Sequence, residues 1–69
     1  MTNSKLLYEI IARRGIKLDH LRKALDISYH TLRRKLNNQS SFTAGEIDIL
    51  CEVLDIRDLE LKERLFFYK

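Results

Sequence analysis

Tyr29, His30, Arg33 and Arg34 lie close together in the chain, with Lys35 at their flank. On a helix whose Leu32 and Leu36 turn inward, this group faces solvent together. Guanidinium, imidazole, phenol and ammonium groups donate many hydrogen bonds and accept few. Such a surface complements phosphate oxygens and the acceptor edge of guanine, so it points to the reading of duplex DNA. A solvated charged face is the alternative that composition alone leaves open.

Other chemistry is poorly supplied. No paired carboxylates, nucleophile with its base, or Gly-rich phosphate loop stands out, and a bundle this small has little room for a substrate pocket, so an enzyme is not expected. His20, His30 and Cys51 fall on different elements without metal-ligand spacing, so neither a metal site nor any other cofactor is expected. Cys51 reads as an inert core thiol, and a lone cysteine excludes an internal disulfide framework. No apolar run approaches a membrane span, and the start Met-Thr-Asn-Ser lacks the features of a signal peptide. A reducing, cytoplasmic setting is the expectation.

The elements that must position the cationic group are helical. The chain has 69 residues, no Pro, two Gly and abundant Leu, Ile, Lys, Arg and Glu. That composition favours one all-α domain over residues 1–69, a compact bundle of about five short helices. The first helix is expected over residues 4–14, capped by Asn3 or Ser4, with Leu7, Ile10 and Ile11 inward and Gly15 ending it. Arg13 and Arg14 complement the negative end of its dipole, a structural role that leaves a phosphate contact as the lesser reading.

Two short helices with a tight corner follow, over residues 17–25 and 29 to about 37. Leu21 and Leu25 form one inward pair, Leu32 and Leu36 another, and Ile27 plugs the corner. Ser28 is placed to cap the second of these helices. A polar loop, Asn38 to Ser41, leads to Phe42 as a core anchor. Thr43 and Glu46 make a capping box for the next helix, with Phe42 available as a staple against Ile47. Ile47, Leu50, Cys51 and Leu54 then repeat with helical spacing. Asp58 caps a last helix reaching about Phe66.

Charge is divided unevenly. Residues 1–42 carry nine Lys/Arg against three Asp/Glu, and residues 43–69 carry four against seven, which sums to the net +3. One part of the chain is thus suited to a polyanion and the other to solvent or a partner.

From Gly15 to about Ile56 the chain resembles the Cro and phage-repressor type of helix-turn-helix regulators, also called the XRE family. The residues that carry the resemblance are Leu21, the corner Leu25-Asp26-Ile27-Ser28, and Thr31-Leu32. They continue with Lys35, Leu36 and Asn37, then Phe42, Thr43, Glu46 and Ile47. Three positions depart from the pattern: Leu18 replaces a frequent Gln, Arg22 a small residue at the helix crossing, and Asp26 the corner Gly. Asp tolerates the left-handed conformation of that corner, and Arg22 fits if its stem snorkels to solvent.

The resemblance implies a lambda-repressor-like fold and a phage or mobile-element repressor of the Cro kind that binds double-stranded DNA in a bacterial cell or phage-infected host. Base contacts are expected from Tyr29, His30, Arg33 and Arg34. Phosphate contacts are expected from Lys17, Ser28, Thr31, Lys35, Asn37, Asn38, Gln39 and Ser40. A homodimer on a roughly palindromic operator would place two reading helices about 34 Å apart. Its surface is expected among Leu61, Leu65, Phe66, Phe67 and Tyr68, since one helical face cannot bury all of these in the monomer. The second functional reading is a protein-binding module, an antirepressor or assembly factor, that works through this C-terminal apolar face.

Overall fold

The computed structural model describes residues 1–67. It consists of five α-helices, α1 (Ser4–Arg14), α2 (Leu18–Leu25), α3 (Tyr29–Leu36), α4 (Ala44–Val53) and α5 (Leu59–Phe66), with no strand among the described residues.

Four of the five helices begin where a short polar residue precedes an amphipathic run. Asn3, Ser28 and Asp58 accept backbone N–H groups at the starts of α1, α3 and α5. Thr43 and Glu46 form the reciprocal capping box at the start of α4. Helix α2 alone opens without a side-chain cap, because its N-cap position holds Lys17.

The endings of α1 to α4 follow one device. Gly15, Asp26, Asn38 and Asp55 all have left-handed φ, from 55° to 67°. At each, two amides turn back on the preceding turn: for α2, the Asp26 N–H donates to Lys23 O at 3.1 Å and the Ile27 N–H to Arg22 O at 3.0 Å. These are Schellman caps, which satisfy carbonyls that a helix end would otherwise orphan. Ile16, Ile27 and Ile56 follow three of them and tuck toward the core. After Asn38 comes Gln39, which is polar and exposed.

The core takes Leu7 from α1, Leu21 from α2, Leu32 and Leu36 from α3, Leu50 and Leu54 from the α4 end, and Leu65 from α5, all fully buried. Helix α2 packs on α3 and α4, and α1 packs on α5. Burying these leucines is the main force holding the corner, at about 1.5 to 3 kcal/mol for each side chain. Ile47 and Cys51 are half-buried, so the inner face of α4 is centred on Leu50 and Leu54.

The C-terminal expectation needs correction. Leu65 and Phe66 are 0% and 4% exposed, and the Phe66 ring meets Phe42 edge to face with centroids 6.2 Å apart. Both belong to the monomer core and are closed to a dimer partner. Leu61 is half-buried, while Phe67 and Leu59 are 60% and 68% exposed. Tyr68 lies outside the described residues. The period of α5 explains the split: Leu61 and Leu65 share the inward face, whereas Leu59 projects elsewhere.

Candidate nucleic-acid interface

The corner from Leu25 to Ser28 sets α3 so that one side faces the core and the other faces solvent. Asp26 adopts φ 56°, ψ 47° at the corner position, as its tolerance for that conformation allows. Arg22 sits half-buried at the crossing, and its Nε reaches Asp19 Oδ1 at 2.8 Å. Lys23 joins the same carboxylate at 3.2 Å. Hydrogen bonds from Lys23 and Arg22 hold the Asp19 carboxyl below its usual range.

At the start of α3, the Ser28 hydroxyl accepts the Thr31 N–H at 3.1 Å and donates to Thr31 Oγ1 at 2.9 Å. The Ser28 proton is therefore used within the cap, and the Thr31 hydroxyl keeps its own proton for an outside acceptor.

Tyr29, His30, Arg33 and Arg34 are all exposed and occupy the outer side of this one helix. Tyr29 is 45% exposed, and Arg33 leans over it with its guanidinium carbon 5.9 Å from the ring centroid. The same Arg33 donates through Nη1 to the Tyr29 hydroxyl at 3.3 Å. This stacking holds one guanidinium in a defined direction at little entropic cost. The Arg34 guanidinium has no hydrogen-bond or salt-bridge partner among the described residues.

Lys35 departs from its expected place. Its side chain is only 11% exposed, and its Nζ donates to Glu46 Oε1 at 2.7 Å and to Ser41 O at 3.1 Å. It also lies 5.9 Å from the Phe42 ring centroid. An ammonium already satisfied by a carboxylate and a carbonyl is not offered to phosphate. The reason is positional: Lys35 follows Leu32 by three residues, which turns it toward the start of α4 rather than outward. Glu46 Oε1 accepts both this ammonium and the Thr43 N–H at 2.8 Å. Burial pushes the Glu46 carboxyl up, but the bonds from Lys35 and Thr43 outweigh it and leave the group below its ordinary range.

Asn38 departs as well. Its Oδ1 accepts the Thr2 N–H at 2.9 Å, and its Nδ2 donates to Thr2 O at 2.7 Å and Ser4 Oγ at 3.1 Å. A carboxamide has two N–H donors, and both are used. None remains for phosphate. Asn37 is exposed, and its Oδ1 accepts from Tyr8 at 3.3 Å, which leaves its own N–H groups unassigned. Gln39 and Ser40 are exposed in the loop, and Lys17 is exposed at the start of α2.

Two participants escaped the sequence reading. Tyr8 and Ser4 of α1 stand one turn apart and both reach the end of α3, Tyr8 at Asn37 and Ser4 at the Leu36 carbonyl. Their shared spacing beside the inward stripe of Leu7 and Ile11 is the signal that could have found them.

A family model for the Cro/C1-type HTH DNA-binding domain matches residues 7–63, which takes in the corner, α3 and all of α4. The chain belongs to that family. The helix-turn-helix is thus α2 and α3, and the lambda-repressor-like fold follows from the family together with the five helices. Cro/C1-type domains bind DNA and are not enzymes. Searches of curated proteins and of solved structures give no match. In this helix-turn-helix domain no described helix is long and apolar enough to cross a membrane. Cys51 sits half-buried on α4, where burial pushes its thiol up and away from nucleophilic use.

Proposed function

We propose that this helix-turn-helix domain is a sequence-specific transcriptional regulator, a Cro-like repressor of phage or mobile-element origin. It spans residues 1–69 as a single domain and acts as a homodimer on a roughly palindromic operator. The observation that carries the reading is the outer side of α3, where Tyr29, His30, Arg33 and Arg34 stand exposed with no other described element over them.

Helix α3 enters the major groove. Arg34 has the reach and geometry for a bidentate bond to guanine, and Tyr29 and His30 offer shorter contacts near the helix start. Arg33, steered by Tyr29, reads a base edge. Phosphate contacts come from Lys17, Thr31, Asn37, Gln39 and Ser40, with Ser28 acting through its cap on Thr31. The start of α2 suits a phosphate, since its first amides lack a side-chain cap and Lys17 stands beside them. Phosphates set the register on the duplex, and the α3 side chains read sequence. Bound to an operator, the dimer blocks RNA polymerase.

Selection of bound duplexes from a randomised pool tests this. The expected outcome is an enriched pair of half-sites spaced by one helical turn, about 34 Å. Recovery of no shared sequence at low salt refutes sequence-specific reading.

A second reading, a protein-binding module using the C-terminal face, draws on the exposure of Leu59 and Phe67 on either side of Lys62 and Glu63. The two readings separate by salt. DNA binding weakens steeply as salt rises because counterions are released, whereas association through an apolar face does not.

A further inference from the structure

We propose that Asn38, with Ser4 and the Thr2 backbone, is a clamp that positions the last turn of the DNA-reading helix α3. The proposal rests on the reading of α3 as the element that enters the groove.

Three successive residues at the end of α3 are each held by the N-terminal segment. Ser4 Oγ donates to the Leu36 carbonyl, Tyr8 donates to Asn37 Oδ1 at 3.3 Å, and Asn38 exchanges two bonds with the Thr2 amide, at 2.9 and 2.7 Å. The Thr2–Asn38 pair mimics a small backbone bridge, with one N–H given and one taken by each side. Thr2 is only 7% exposed while Asn38 is exposed, so the clamp is shielded on its Thr2 side, where an unmade hydrogen bond costs most. On its other side the segment is fixed to α5, where the Asn3 N–H donates to Leu65 O at 2.6 Å. The N-terminal segment therefore ties the last turn of α5 to the last turn of α3.

Asn38 is chosen for this on two counts. Its backbone takes φ 62°, which closes the Schellman cap of α3 through the Gln39 N–H to Arg34 O at 2.8 Å. Its side chain then exchanges both bonds with the Thr2 backbone, which neither Leu36 nor Asn37 reaches. The polar Gln39 that follows, in place of the isoleucines after the other three caps, is directed outward by the same turn. Arg34 lies on that turn, so a loosened clamp lets the backbone that carries its guanidinium shift.

Replacement Asn38→Gly separates the two functions of the residue, because glycine keeps the left-handed turn while losing the carboxamide. Ser4→Ala removes the other half of the clamp from a helix remote in sequence. Both variants and the double variant are to be compared with the unaltered chain by thermal melting, amide hydrogen exchange, and binding to a duplex selected by the unaltered chain and to a scrambled duplex. Binding is read well below every melting point. A clamp predicts that each single variant binds the selected duplex about three- to tenfold more weakly, as expected for a lost hydrogen bond of ordinary strength. The scrambled duplex changes little, and the double variant falls short of the product of the two. Exchange quickens at Asn37 and Gln39 while Ile47 is unaffected.

Loss of discrimination in Asn38→Gly with Ser4→Ala unaltered would overturn the proposal, since Asn38 would then touch DNA itself. Unchanged exchange at Asn37 and Gln39 would overturn it too. Failure of the unaltered chain to hold any duplex would instead overturn the DNA reading, and the exchange rates would still judge the clamp.

Discussion

The outer side and the C-terminal end of α3 carry similar polar residues and use them in opposite ways. Around its outer side, Tyr29, His30, Arg33 and Arg34 are exposed and bonded at most to each other. At its C-terminal end, Lys35, Asn37 and Asn38 are bonded to Glu46, Tyr8 and Thr2. The first group faces solvent, and the second is occupied within the fold. A reading helix must be held rigidly if a few side chains are to choose between base pairs, and the polar groups at its far end supply that support.

Breaking the support gives the largest effects on folding. Lys35→Ala leaves Glu46 in a mostly buried position without its cation, and thermal or denaturant melting should show a loss of about 2 to 3 kcal/mol. The slope of DNA affinity against salt should stay unchanged, because this ammonium is already neutralised. A slope reduced by about one unit would show instead that Lys35 does meet phosphate.

Breaking the reading surface reverses the pattern. Arg34→Ala should leave the melting temperature nearly unchanged, since the side chain is exposed, while operator affinity falls by about 1 to 3 kcal/mol. Preference at one position of each half-site should relax. Equal losses on operator and random duplex would demote Arg34 to a phosphate contact.

Between the two regions lies the Ser28 cap. Ser28→Ala should cost about 1 kcal/mol of stability by freeing the Thr31 amide, a change read by denaturant melting. Ser28→Asp should restore most of it as a cap, yet weaken DNA binding by setting a negative charge beside phosphate.

The smallest effect is in acid. Glu46 has a folded pKa below its unfolded value, so its contribution is fully present above about pH 5 and is lost as pH falls through the folded value. Stability measured from pH 7 to pH 3 should therefore fall less steeply in Glu46→Gln, from a lower starting point. Parallel curves would mean that the pair with Lys35 does not perturb the carboxyl.

Much of the fold was legible because its signals are local. Asn3, Ser28, Thr43 and Asp58 announce helix starts, Gly15 an end, and leucines one turn apart mark inward faces. The outer side of α3 was legible for the same reason: once Leu32 and Leu36 turn in, Arg33 and Arg34 have only solvent to face. What remained hidden depends on contacts between distant parts of the chain. Asn38 and Thr2 are 36 positions apart, and Lys35 and Glu46 lie on different helices. No periodicity distinguishes a lysine that will be paired from one that will stay free. Leu65 and Phe66 were misjudged similarly, because an apolar-rich helix does not disclose which of its residues Phe42 and the other helices will cover.

Amide chemical-shift mapping of the chain with its selected operator duplex tests the central claim most directly. The account predicts that the largest changes gather on Tyr29 to Arg34, with smaller ones at Lys17 and Gln39–Ser40 and little at Leu59 to Phe67. Changes concentrated on α5, with α3 silent, would contradict it.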